Sequence, residues 1–201
     1  TADARSEADW NRVADAALGR FGAIHALMNN AGVGGGGSSG PIEDHSAEDW
    51  RWTIDVNLMG VVFGMKSVVP HIKVAGGGWI VNVASMAGMN GFPYGGAYNA
   101  TKLAVAGLSE GWSMELAPCG IHVAALCPGF VRTRIYLSDR VRPADYDDSH
   151  RELVVSDDDL DPETMTTGLS NEVKNGIDPD LLAARVIESL QAKDTYIFTH
   201  P

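Results

Sequence analysis

The sequence predicts an α/β domain, a doubly wound parallel sheet with helices on both faces. Three observations carry that expectation. Segments with helical apolar spacing alternate with short apolar runs along the chain. Two of those runs, "WIVNVAS" and "IHVAALCPG", are almost continuously apolar, as strands buried on both faces must be. The runs also break into polar or glycine-containing sequence at their carboxyl ends: Asn29-Asn30-Ala31-Gly32, Ser85 and Pro128-Gly129. That edge is where open parallel sheets bind ligands.

The elements follow in order. Across 6–21, Trp10, Val13, Ala14, Ala17, Leu18 and Phe21 recur at helical spacing between an N-cap, Ser6, and a stop, Gly22. A strand at 23–28 then runs into the loop "VGGGGSSGPIEDH". A long helix opens after Ser46, carried by Trp50, Ile54, Leu58, Val61 and Val62, and ends near "VAGGG". The second strand spans 79–85, a helix spans about 96–117, and the third strand spans 121–129. Residues 130–178 are acidic and aperiodic, with Pro143 and Pro162. That segment is too long for a passive connector and is expected to be a substrate loop or lid with short helices. Asp178-Pro179 caps a last helix bearing Leu182, Val186 and Leu190, and "TYIFTHP" reads as a fourth strand. Residues 1–201 form one domain.

Composition narrows the partners. A net charge of −11 argues against nucleic acid, whose phosphates are neutralised by basic residues, and against anionic membrane surfaces. The longest apolar run, "LMGVVFGM" at 58–65, is too short to cross a bilayer, and "TADARSEAD" is no secretory signal. Cys119 and Cys127 lie roughly 20 Å apart if 121–127 is a strand, too far for a disulfide. Both are expected to be buried thiols in a reducing, cytoplasmic compartment. The six histidines show no metal-ligand spacing, so no metal site is expected.

The fold brings Asn30, Ser85, Tyr98, Lys102 and Gly129 towards one crevice. Tyr98 and Lys102 sit one turn apart on a helix rich in small residues. Alone, such a pair is an ordinary solvated i,i+4 contact. Beside Ser85 it suggests proton transfer at an alcohol or carbonyl oxygen. A free phenol has a pKa of about 10; bringing it towards 7 takes about 4 kcal/mol, which the charge on Lys102 would supply by stabilising tyrosinate. Ser85 would donate a hydrogen bond to the substrate oxygen. Acid–base catalysis contributes perhaps 10²–10⁴-fold, so a hydride acceptor is needed, and a nicotinamide cofactor suits.

Together these residues resemble the short-chain dehydrogenase/reductase family. The matching stretches are "NNAG" (29–32), Asn57 in "DVNL", "IVNVAS" ending in Ser85, Y-x-x-x-K (Tyr98, Lys102) and "PGFVRT" (128–133). Ser85 precedes Tyr98 by thirteen residues, the family interval, and Asp3 precedes Asn29 by 26, where the family places an aspartate on the adenine. The resemblance implies a Rossmann-like three-layer fold and an NAD- or NADP-dependent alcohol dehydrogenase or ketone reductase. Tyr98 would be the general acid/base. Lys102 would lower its pKa and bind the nicotinamide ribose, Ser85 would orient the substrate oxygen, and Asn57 would hold a relay water. Asp3, Asn30, Ala31 and Gly32 would meet the adenosine half; Pro128, Gly129, Val131 and Thr133 would fix the nicotinamide. Family members usually associate through the helices carrying Asn57 and Tyr98, implying a homodimer or homotetramer.

Other residues are less committed. Asn57 is mid-helix, an unfavourable place for asparagine. Asn29 is expected to be structural, bonding neighbouring strand ends. Tyr94, Met86 and Met89 are packing or substrate contacts; Met86, Phe92, Tyr94, Phe130, Tyr136 and Met165 hint at a lipophilic alcohol or ketone. The run "SDDDLD" at 156–161 reads as a solvated face. The family's phosphate-cradling T-G-x-x-x-G-x-G loop is absent from these 201 residues. The sequence therefore reads as an internal fragment lacking the first βαβ portion, with "HALMNN" as an exposed apolar edge. The NAD/NADP choice stays open for the same reason. The rival expectation is a truncated, non-catalytic Rossmann-like binding or regulatory protein.

Overall fold

The computed structural model describes residues 1–34, 40–146 and 170–199. Four strands, β1 (Ala26–Asn29), β2 (Gly78–Val83), β3 (Ile121–Cys127) and β4 (Tyr196–Phe198), form one sheet in the order β1-β2-β3-β4. Every neighbouring pair is parallel. The register sets Asn29 opposite Asn82 and Val83 opposite Leu126, so the strand ends line up on one edge. β1 starts three residues later than the sequence suggests, and β2 and β3 stop two residues earlier. The polar strand ends are thereby released from the ladder.

The helices are α1 (Glu7–Phe21), α2 (Ala47–Ile54), α3 (Gly60–Val74), α4 (Gly96–Leu116) and α5 (Pro179–Ala192). Their termini obey the capping chemistry. The Ser6 hydroxyl accepts the Asp9 N–H, and Gly22 ends α1 in the left-handed region at φ 79°. Ser46 and Asp49 form a reciprocal capping box on α2, and Asp178 caps α5 with Pro179 at its first turn. A π-helical turn, Asp55–Met59, joins α2 to α3 into one continuous helix. That helix is longer than its apolar run implies, 28 residues over Ala47–Val74, long enough to cross a membrane by length and composition. Half of its apolar window is buried inside the domain.

Alternation along the strands sorts the core into two layers. Ile80, Val123, Ala125 and Cys127 pack with Ala14, Val61, Met65, Val68, Ile72, Val105 and Leu116, beneath α1, α3 and α4. Val81, Ala124 and Leu126 pack with Val186 and Ile197, beneath α5. This is the three-layer, doubly wound arrangement. β1 is an edge strand among the described residues, and Met28 on it is 52% exposed. The expected pair of buried thiols is half right: Cys127 is buried, but Cys119 lies exposed in the turn after α4. Met165 and the run 156–161 lie outside the described residues.

Candidate active site

The strand ends are cross-tied before any catalytic group is reached. Asn29 Nδ2 donates to Asn82 Oδ1 (2.7 Å), and Asn82 Nδ2 donates to Ser109 Oγ (3.0 Å), a buried polar chain from β1 through β2 to α4. The Met86 N–H donates to the Pro128 carbonyl (2.9 Å), joining the end of β2 to the end of β3. Ser85 caps a short 3-10 turn, its hydroxyl accepting the Ala87 N–H (3.1 Å). These bonds hold Ser85 and the Pro128-Gly129 bend side by side. Gly129 donates to Thr199 Oγ1 (3.3 Å).

Tyr98 and Lys102 ride on the first turns of α4. Lys102 is 3% exposed; its Nζ donates to the Val83 carbonyl (2.8 Å) and lies 5.6 Å from the centre of the Tyr98 ring. Burial drives its pKa down to about 8, against a small opposing pull from Cys127. The Tyr98 phenol is pushed up, burial outweighing the Ser85 hydroxyl, which pulls it down. Both directions differ from expectation. The sequence suggests a fixed cation lowering a phenol, but burial lowers the cation and raises the phenol. Cys127, beneath them, is raised to about 11, first by burial.

Asn57 is fully buried in the π turn and grips one residue of the loop after β1. Its Oδ1 accepts the Val33 N–H and its Nδ2 donates to the Val33 carbonyl, both 2.8 Å. Nδ2 also reaches Thr101 Oγ1 (3.4 Å), whose hydroxyl donates to the Tyr98 carbonyl (2.9 Å). Asn57 thus couples the end of β1 to the backbone of the tyrosine turn. The wider π turn is the excuse the asparagine needed, since such turns recur at functional positions.

The remaining expected residues fall as follows. Asn30 and Ala31 form an exposed ledge at the end of β1, with Gly32 partly buried beside Lys102. Val131 is buried and bridged to Ile177; Thr133 is exposed and accepts the Ile135 N–H (3.4 Å). Asp3 is 44% exposed and ion-paired to Arg5 (2.7 Å), which keeps its carboxyl below the usual range.

Sequence reasoning missed the second tier. The stretch after Thr133 is a strap, 3-10 at Ile135–Val141 and Ala144–Tyr146. The Arg142 guanidinium pairs with the buried Asp49 (2.7 Å) and covers the Trp52 ring, while Tyr146 donates to Asp55 Oδ2 (2.6 Å). Nothing in the periodicity of this strap announces those partners; only charges at 49, 55 and 142 were visible. Tyr94, in the left-handed region at φ 62°, accepts the Gly40 N–H through its carbonyl (3.2 Å).

Similarity to known proteins gives the family. Residues 1–142 match the family described as short chain dehydrogenase. A 3-alpha-(or 20-beta)-hydroxysteroid dehydrogenase of Mycobacterium bovis is 41% identical over 131 residues, covering 65% of this chain and 49% of the relative. The chain thus spans about half the length of that relative. A Burkholderia phymatum short chain dehydrogenase/reductase solved in complex with NAD is 34% identical, covering 100% of this chain and 69% of that one, at TM-score 0.90. ElxO with NADP bound is 35% identical over 64% of this chain and 51% of its own, at TM-score 0.61. The chain belongs to the short chain dehydrogenase family.

Proposed function

We propose that this chain carries the catalytic portion of an NAD- or NADP-dependent oxidoreductase acting on an alcohol or its ketone. One observation carries the reading. Lys102 is an ammonium with three donors, and among the described residues one of them is spent on a protein hydrogen bond, at Val83. The other two are available beside Tyr98 and next to the exposed Asn30-Ala31 ledge, a donor set suited to ribose hydroxyls. Asn30, Ala31 and Gly32 would hold the adenosine half, with Asp3 still able to accept while paired to Arg5. Pro128, Gly129, Val131 and Thr133 would hold the nicotinamide. When bound, that cofactor supplies or accepts the hydride at the substrate carbon.

The chain's own residues handle the proton. In the reduction direction a phenol raised by burial is protonated at neutral pH and ready to give its proton to the carbonyl oxygen. Ser85 donates a hydrogen bond to the same oxygen. The tyrosinate left behind lies beside the Lys102 charge, which stabilises it until a proton returns. Asn57 keeps the turn bearing Tyr98 in register through Thr101, and its neighbourhood of Lys102 suits a relay water.

Met86 and Phe130, 40% and 42% exposed next to Ser85 and Gly129, favour a lipophilic substrate. The hydroxysteroid dehydrogenase relative supports the same class. Leu103 and Met114, 61% and 69% exposed on α4, support association of two copies through that helix. Free cysteines fit a reducing, cytoplasmic compartment.

The test is Tyr98→Phe in the full-length polypeptide. Ketone reduction should fall by about 10² or more while NAD(P)H affinity, read by fluorescence titration, is unchanged. Wild-type protein that binds nucleotide without turning over any ketone would instead mark a binding module.

A further inference from the structure

Gly34 follows the residue that Asn57 grips, and a side chain on it would crowd the Tyr98 ring. A Cβ there would lie 3.0 Å from Tyr98 Cε2, 3.2 Å from Cδ2 and 3.5 Å from Ile135 Cδ1. Its φ is outside the left-handed region, so the backbone conformation does not demand glycine. The space does.

The backbone at Gly34 is held from both sides. Upstream, Val33 is clamped by Asn57 at 2.8 Å through both its N–H and its carbonyl. Gly34 itself donates to Ser138 Oγ (3.0 Å), and the buried Ser138 hydroxyl donates on to the Ile135 carbonyl (2.5 Å). A methyl added at Gly34 could retreat only by straining these bonds, so the ring would have to give way by a few tenths of an ångström.

We propose that Gly34 is a positioning residue for Tyr98. Its bare Cα is the seat for one edge of the phenol ring, and its N–H docks the Ile135–Val141 strap as the second wall beside that edge. The ring orientation over Lys102 is thereby set by the loop after β1 as well as by α4. A substrate oxygen must then approach the phenol from the side away from Gly34 and Ile135. The turnover arm of the test rests on the oxidoreductase reading above; the spectroscopic arm does not.

The chain contains five tyrosines, so labelling with 3-fluorotyrosine gives five ¹⁹F signals, and the Tyr98 signal is the one missing from Tyr98→Phe. Gly34→Ala should move the Tyr98 signal by more than its linewidth and leave those of Tyr146 and Tyr196 in place. Gly19→Ala, at a glycine with nothing within 4 Å, should move none. In the full-length polypeptide, Gly34→Ala should lower kcat for ketone reduction roughly tenfold or more with KM little changed, as expected for a misplaced catalytic group. Should Gly34→Ala fail to fold, Ser138→Ala removes the strap's acceptor without adding bulk and should also move the Tyr98 signal. An unmoved Tyr98 signal in the folded variant, with kcat unchanged, overturns the proposal and leaves the oxidoreductase reading standing. A moved signal in a protein whose wild type turns over no ketone keeps the seat and removes that reading.

Discussion

Lys102 offers the sharpest quantitative test, because a buried ammonium makes stability depend on pH in a fixed direction. An ordinary lysine titrates near 10.4; here burial lowers it to about 8. At 1.36 kcal/mol per unit, keeping this group charged at pH 7 costs the folded state about 3 kcal/mol. The folded pKa is the lower of the two. Between about pH 8 and 10.4 the unfolded chain therefore holds a proton that the folded chain has released, and stability rises with pH at about 1.4 kcal/mol per unit. Below 8 both states are charged and the contribution is flat at its least favourable value. Lys102→Met removes the charge and keeps the stem, at the loss of the hydrogen bond to Val83, a charged bond of roughly 1.5–3 kcal/mol. At pH 7 the variant should then be as stable as the wild type or up to about 2 kcal/mol more so. From pH 7 to 10 the wild type should gain about 2–3 kcal/mol on the variant. Urea unfolding followed by tryptophan fluorescence at four pH values measures this directly. Because the Lys102 charge also pulls on the Cys127 thiol, which burial raises to about 11, wild type and variant are compared on a Cys127→Ala background. A difference that does not change with pH would refute the buried charge.

Four further outcomes follow from packing, charge and exposure. Gly64→Ala would set a methyl 2.2 Å from Asn29 Oδ1 and 3.1 Å from the Trp10 ring, so it should destabilise by about 3 kcal/mol or more. Gly19→Ala, in open space on α1, should stabilise by roughly 0.5–1 kcal/mol; thermal unfolding compares the two. Asp49→Ala leaves Arg142 buried without its anion and should cost about 3–5 kcal/mol, with Asp49→Ala/Arg142→Ala costing less than the sum of the single changes. If α4 is a self-association surface, Met114→Glu lowers the mass seen by light scattering. Equal masses for wild type and variant at every concentration would exclude that helix.

The sheet was legible because its signal is collective. Ile80, Val81, Val123, Ala124, Ala125 and Leu126 are all buried, and short apolar runs that break into polar sequence at their ends mark strands covered on both faces. The placement of Ser85, Tyr98 and Lys102 on one edge followed from the fold alone. Local chemistry also read correctly at Ser6, Ser46 and Asp178, whose caps act within a few residues. What escaped was set by tertiary contact. The tight contact at Gly34 hides in a run of glycines that looks merely loose, and the Arg142–Asp49 pair joins residues far apart in the chain. The directions of the Tyr98 and Lys102 shifts depend on burial, which spacing does not report. Asp3 shows the limit of interval matching, since its family interval holds while its visible partner is Arg5.

The π turn at Asp55–Met59 has a consequence for insertions and deletions. Upstream, the helix buries Asp49, Trp52 and Thr53; downstream it buries Gly60, Val61, Gly64, Met65, Ser67, Val68 and Ile72. At about 100° per residue, an unbroken α-helix would carry the second set roughly a quarter-turn away from the first. The one surplus residue in the wide turn restores the phase, so both buried sets lie on one side of the helix, α2 against α4 and α3 against β1 and β2. Deleting one of those five residues would give a regular α-helix that keeps the two halves in phase, and what it would lose is the local width that seats Asn57 against Val33 and Thr101. An insertion of one residue between Trp52 and Gly60 with no second wide turn would instead act as a frameshift in three dimensions, turning Met65, Val68 and Ile72 off the core while leaving every one of them in the sequence.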